Sequence, residues 1–314
     1  MNKQKEFLWC ESYRPQTVAD CILPEGLTKT FQDIVDSGEI PNMILNGTSG
    51  LGKTTIAKAI CKELGSDFLM INGSEENGID VLRNKIKKFA SSVSLSGGLK
   101  VVIIDEADYL NAQSTQPALR GFIEEFNSNC RFILTCNYKN RIIVPLHSRC
   151  SVIDFNTTRK DLQSLAKKFL TRMETILNEE GVSFNRKVLV ELIVKFAPDW
   201  RRVINECQRF STGGELNISV LNTASDESVK SLVSYLKDKD FKSMREWVAS
   251  NPGLDGTSAI RAIYDSMNQH MKPQSVPQAV LILADYSYKA SFVSDKELNL
   301  VACMVELMSS VEWK

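Results

Sequence analysis

The chain has 314 residues, 43% of them hydrophobic, enough apolar surface for more than one core and too much for a disordered chain. Lys and Arg number 38 and Asp and Glu 38, so any contact with a polyanion must come from a local patch, because overall charge supplies no attraction. No apolar run reaches the roughly 18 residues of a membrane span. The eight cysteines form no C-x-x-C pair and no Cys/His cluster of zinc spacing, and "MNKQKEFLWC" has no signal-peptide core. Reduced thiols and a cytoplasmic location are expected.

In chain order, the first informative element is an apolar strand, Met43 to Leu45, running into "GTSGLGKT" and then into helical periodicity. This is G-x-x-x-x-G-K-[ST] in the strand-to-helix context that a phosphate loop requires. Gly47, Gly50 and Gly52 let the backbone turn its N–H groups inward, with Thr48, Ser49 and Leu51 between them, and the helix N-terminus adds a positive dipole end. Lys53 is expected on the β- and γ-phosphates of ATP, Thr54 on Mg²⁺, and Thr55 beside them.

The segment "DVLRNKIKKF" follows, with Arg83, Lys85 and Lys87 interleaved with Ile86 and Phe89, a pattern that suits a solvated helix face as well as a phosphate-tracking one. The run Val101 to Ile104 reads as a strand buried on both faces and ends in Asp105-Glu106. Two carboxylates at a strand tip divide naturally, Asp105 for the metal shell and Glu106 for orienting and polarising the attacking water. A third strand, Phe132 to Leu134, ends in Asn137, whose amide can meet both a γ-phosphate and a lytic water. A dozen residues on, Arg149 falls at an edge of a doubly wound sheet, away from its own phosphate loop. It serves either a surface ion pair or a neighbouring molecule.

Residues 156–314 read mostly as helix, with stops at Gly181 and at Gly213-Gly214 and a new helix start after Pro198-Asp199. That distinguishes the chain from DEAD-box helicases. They share the "DEAD" of residues 105–108 but need a second strand-helix core.

Phosphate loop, "IIDEAD", "LTCN" and "SRC" in this order resemble an AAA+ ATPase, and "SRC" points to the sliding-clamp loaders. "LWCESYRPQTVADCILPE" is similar to the opening box of replication factor C small subunits. "NGSEENGIDVLRNKIKKFASS" is similar to that family's segment before the acidic strand, and the C-terminal part, ending "ELMSSVEWK", to the large ATPase subunits of T-even phage clamp loaders. Two departures stand out. Thr48 and Ser49 replace the prolines usual in the loop, and Asn77 stands where the family has a basic residue implied to couple DNA contact to the acidic strand.

The resemblance implies an α/β RecA-like AAA+ domain (1–155), a helical lid (156–222) and an all-α collar that oligomerises (223–314). It implies Arg149 as a finger on the adjacent subunit's γ-phosphate, Arg201 as a second sensor reaching the nucleotide in cis, and Gln116 and Arg120 as couplers between sites. Arg83, Lys85 and Lys87 would follow DNA phosphates, with the apolar positions near Phe89 and Val93 meeting the clamp. The implied function is ATP-driven loading of a ring-shaped clamp on primer-template DNA, by a spiral of several copies with at least one different subunit. A helicase or branch-migration motor and a replication-initiator-like ATP switch are the alternatives.

Overall fold

Five strands form one sheet in the computed structural model: β1 (Met43–Asn46), β2 (Phe68–Asn72), β3 (Lys100–Asp105), β4 (Cys130–Cys136) and β5 (Ser151–Asp154). Their order is β2-β3-β4-β1-β5, and every pairing is parallel. The described residues are 7–76, 78–92, 99–216, 230–250, 256–290 and 292–314, so Asn77 and Val93 lie outside them.

Parallel neighbours need crossovers, and helices supply them. α1 (Trp9–Ser12) and α2 (Glu25–Ser37) precede β1, and α3 (Lys53–Glu63) joins β1 to β2. α4 (Ile79–Ser91), α5 (Thr115–Glu125) and the short α6 (Val144–His147) make the remaining links. Side chains alternate along a strand, so β3 divides its apolar run between two cores. Val102 and Ile104 join Phe132, Leu134 and the inner faces of α4 and α5, whereas Val101 and Ile103 join Met43, Leu45 and Ile133 against Ile56 and Ile60 of α3. Helices on both sides are the reason the strand reads as continuously apolar.

Three helices complete the first compact unit, Met1–Asn217: α7 (Arg159–Glu179), α8 (Arg186–Phe196) and α9 (Trp200–Phe210). A reciprocal capping box between Thr158 and Asp161 starts α7. Gly181 follows its end with φ +67°, a conformation a β-carbon would penalise. Asp199 caps α9 by accepting the Arg202 N–H at 3.0 Å.

The second unit, Ile218–Lys314, is helical throughout its described residues. Its elements are α10 (230–237), α11 (Phe241–Ser250), α12 (Gly256–His270), α13 (Val276–Lys289) and α14 (Lys296–Ser310). They close over Leu232, Trp247, Ile263, Leu283, Met304 and Leu307. No second strand-helix core occurs among the described residues.

Candidate nucleotide site and the surfaces around it

The C-terminal ends of β1, β4 and β3 meet at one edge of the sheet, because the register pairs Asn46 with Cys136 and Leu134 with Ile104. β4 lies between the other two, so Asn137 stands between the phosphate loop and the acidic pair. In the loop, Gly50 and Gly52 have φ of +82° and +89°, which a side chain would oppose. A β-carbon on Gly47 would lie 2.8 Å from that of Phe155, so space excludes a side chain there.

Lys53 opens α3 and is 8% exposed. Its Nζ donates to the carbonyls of Gly47 (2.6 Å) and Thr48 (2.9 Å) and to Asn137 Oδ1 (3.0 Å), so the amine folds back on its own loop. Burial holds its pKa below the usual lysine value. Thr54 Oγ1 donates to Asp105 Oδ1 at 2.7 Å, which brings together the two groups expected to hold a metal. Thr135 donates to the same Asp105 oxygen and accepts the Glu106 N–H at 3.1 Å. Glu106 itself has φ 54°, a left-handed conformation rare for a residue with a β-carbon.

Asp108 was not singled out by sequence reasoning. It is buried, and its Oδ2 accepts the N–H groups of Asn137 and Tyr138, both at 3.2 Å, fixing the end of β4 where Asn137 must point. The "DEAD" stretch carried the residue without revealing this partner.

Arg201, at the start of α9, lines the same cleft as Lys53, Thr54, Asp105, Glu106 and Asn137. Arg202 is engaged elsewhere, with its guanidinium 4.5 Å from the Phe196 ring centre. Beside the cleft lies a mostly apolar pocket, which sequence reasoning also missed. Tyr13, Leu23, Leu51, Phe169, Ile176 and Trp200 contribute to its wall. Phe169 and Trp200 stack at 4.6 Å, and the N-terminal segment is tied to the lid by Tyr13 Oη donating to Glu180 Oε1 at 2.6 Å.

Arg149 lies at the other end of the sheet. Ser151 pairs with Met43, so Arg149 precedes the start of β5, about 13 Å of strand away from the phosphate loop. Its Nε and Nη2 donate to Glu124 Oε1 at 2.8 and 2.5 Å. Gln116 is buried, donates to the carbonyls of Leu110 and Arg141 (both 3.0 Å) and accepts the Ile143 N–H at 2.8 Å. It thereby ties α5 to the segment leading toward Arg149. Arg120 is exposed on the same helix.

Arg83, Lys85 and Lys87 are exposed on α4 and each meets an acid: Asp80 at 3.8 Å, Glu76, and Glu125 at 3.7 Å. Phe89, near which the clamp contact is expected, is partly buried. It packs against the core with Leu82 and Ile86, and Lys100 Nζ lies 5.2 Å from its ring centre. The exposed apolar side chain of α4 is Val81.

Residues 43–158 match the family of ATPases associated with various cellular activities, and residues 161–222 match the AAA+ ATPase lid domain of sliding-clamp-loader large subunits. The chain is similar to the sliding-clamp-loader large subunits of Enterobacteria phage T4 (33% identity, 99% of this chain and 98% of the relative) and Escherichia phage RB69 (34%, the same coverage). It belongs to the clamp-loader family of AAA+ ATPases. A replication factor C small subunit from Natronomonas pharaonis is similar at 31% identity over 96% of this chain and 94% of the relative. As a clamp-loader-family ATPase, the chain binds nucleotide and hydrolyses ATP. Among solved structures, the RuvB Holliday junction branch migration motor of Thermotoga maritima matches with a TM-score of 0.51 and 21% identity, over 71% of this chain and 78% of that one. That likeness concerns the fold alone. No helix among the described residues is long and apolar enough to cross a membrane.

Proposed function

We propose that the chain is the ATPase subunit of a loader that opens a ring-shaped sliding clamp and closes it on primer-template DNA. The observation that carries this reading is an incomplete site: Lys53, Thr54, Asp105, Glu106, Asn137 and Arg201 share one cleft, while Arg149 stands at the opposite end of the sheet. An arginine so placed completes a site only on an adjacent subunit, so the working form is an assembly of several copies with at least one different subunit. Its compartment is the cytoplasm.

Within one subunit the loop N–H groups and the α3 N-terminus receive the triphosphate. Lys53 exchanges its two loop carbonyls for phosphate oxygens, and the apolar pocket takes the base. Thr54 and Asp105, already joined at 2.7 Å, suit a Mg²⁺ ion, an oxygen-seeking cation held by one or two such groups plus phosphate. When bound, that ion neutralises charge on the β- and γ-phosphates. Glu106 accepts a hydrogen bond from the attacking water, and Asn137 orients water and γ-phosphate together. Arg201 makes the lid's position depend on the triphosphate, and Arg149 from the neighbouring subunit stabilises the transition state.

The basic face of α4 fits DNA held through its phosphates, as a loader acting at any sequence requires. The decisive experiment measures ATP turnover of the complex co-expressed with its cognate partner, with and without clamp and primed DNA. Clamp and primed DNA together should raise turnover well above either alone. Unwinding or branch migration by this chain alone would support the motor reading, and ATP binding with no stimulated turnover would support the switch reading.

A further inference from the structure

Arg149 is held by its own subunit in a manner incompatible with gripping a phosphate. A guanidinium has five N–H donors. Here Nε and Nη2 donate to Glu124 Oε1, while Nη1 donates to Pro145 O at 2.8 Å and to Ser148 Oγ at 3.2 Å. Those four bonds leave one donor over, and neither edge of the guanidinium is free for the paired contact that a phosphate favours.

We infer that Glu124 is a parking residue for the arginine finger, a carboxylate on α5 that competes with the neighbour's γ-phosphate for Arg149. This inference rests on the proposed role of Arg149 in trans. Two features suit a competitor over a permanent brace. The pair is partly solvated, with side-chain exposures of 30% for Arg149 and 54% for Glu124, so it exchanges readily. Glu124 also sits at the end of α5, the helix whose other end is bonded through Gln116 to the backbone at 141 and 143. A shift of α5 against that segment therefore changes the distance from Glu124 to Arg149. At an interface without a correctly docked triphosphate the carboxylate keeps the finger. At an engaged interface the phosphate takes it.

The test uses Glu124→Gln in the full assembly, a change that removes the charge but keeps the shape. Turnover without clamp or DNA should rise roughly two- to fivefold, the range over which an exposed ion pair biases a two-state equilibrium. KM for ATP should not rise, and the fully stimulated rate should move little, so the stimulation ratio falls. Placed on the same chain as Arg149→Ala, Glu124→Gln should have no further effect, because no finger remains to release. Nucleotide affinity of the lone subunit reports on folding and should be unaltered by Glu124→Gln. If Arg149→Ala cripples turnover but Glu124→Gln leaves the unstimulated rate unchanged or lowers it, the parking role is wrong and the finger stands. If Arg149→Ala leaves assembled turnover intact, the finger reading itself has failed.

Discussion

The hydroxyl of Thr135 carries the backbone of Glu106, accepting its N–H at 3.1 Å while donating to Asp105 Oδ1. One side chain on the central strand thus sets both members of the acidic pair, and it supports Glu106 in its left-handed conformation. Thr135→Val keeps the shape and deletes both bonds, leaving a part-buried N–H unpaired at a cost of up to about 1–3 kcal/mol. ATP turnover should fall roughly 10- to 100-fold, the penalty of a misplaced catalytic group, with ATP affinity nearly unchanged. Equal losses of affinity and rate would mean that Thr135 supports the phosphate loop and not the glutamate.

The phosphate loop and the lid touch at a point with no spare volume. A β-carbon on Gly50 would lie 2.0 Å from Asp199 Oδ1 and 2.9 Å from its Cα. Gly50→Ala should therefore push α9 and Arg201 away from the cleft and weaken binding of a fluorescent ATP analogue at least about tenfold, φ strain adding to the clash. Asp199→Ala loses the α9 cap, worth about 0.5–2 kcal/mol, and should lower the unfolding temperature of the lone subunit. An unchanged affinity for Gly50→Ala would show that the lid moves freely over the loop.

Cys10 offers a probe of the apolar pocket. It lines that pocket and is the one half-buried cysteine, whereas Cys61, Cys150 and Cys207 are buried, their thiols pushed up to about 12 by burial. Burial raises Cys10 as well, so alkylation should be slow at neutral pH and accelerate as pH rises toward 9. Cys10 should react first, and ATP should protect it whereas inorganic triphosphate should not. Protection by triphosphate alone would contradict placement of the base there.

Reversing charge at Arg83 and Lys87 together should weaken DNA-stimulated ATPase about equally on unrelated sequences and flatten its dependence on salt, since phosphate contacts release counterions without reading bases. Both face acids at 3.7–3.8 Å in exposed pairs, so reversal sets like charges together and should lower stability only slightly, by at most about 1 kcal/mol per pair. A salt slope identical to that of the unmodified protein would leave α4 as a solvated face.

The phosphate loop, Asp105-Glu106 and Asn137 were legible in the sequence because each is a local pattern, a strand followed by its functional residue. Parallel strands then gather those tips at one edge. The apolar pocket was not legible: Tyr13, Phe169 and Trp200 come from three distant segments, and each alone reads as core. The spacing of Phe89 from Leu82 and Ile86 places it on the same stripe of α4, and it packs partly buried against that core. Glu124 gave no signal, because an ion pair spanning 25 residues of sequence follows no period.

The account stands on Arg149 completing a neighbour's site, and mixing two inactive variants tests this most directly. Glu106→Gln removes the water-orienting carboxylate, and Arg149→Ala removes a finger worth roughly 10³-fold or more in comparable enzymes. In assemblies containing both, some interfaces pair an intact Glu106 with an intact Arg149 from the next subunit, so ATP turnover should partly return. Mixed assemblies that form but remain as inactive as either parent would contradict the account.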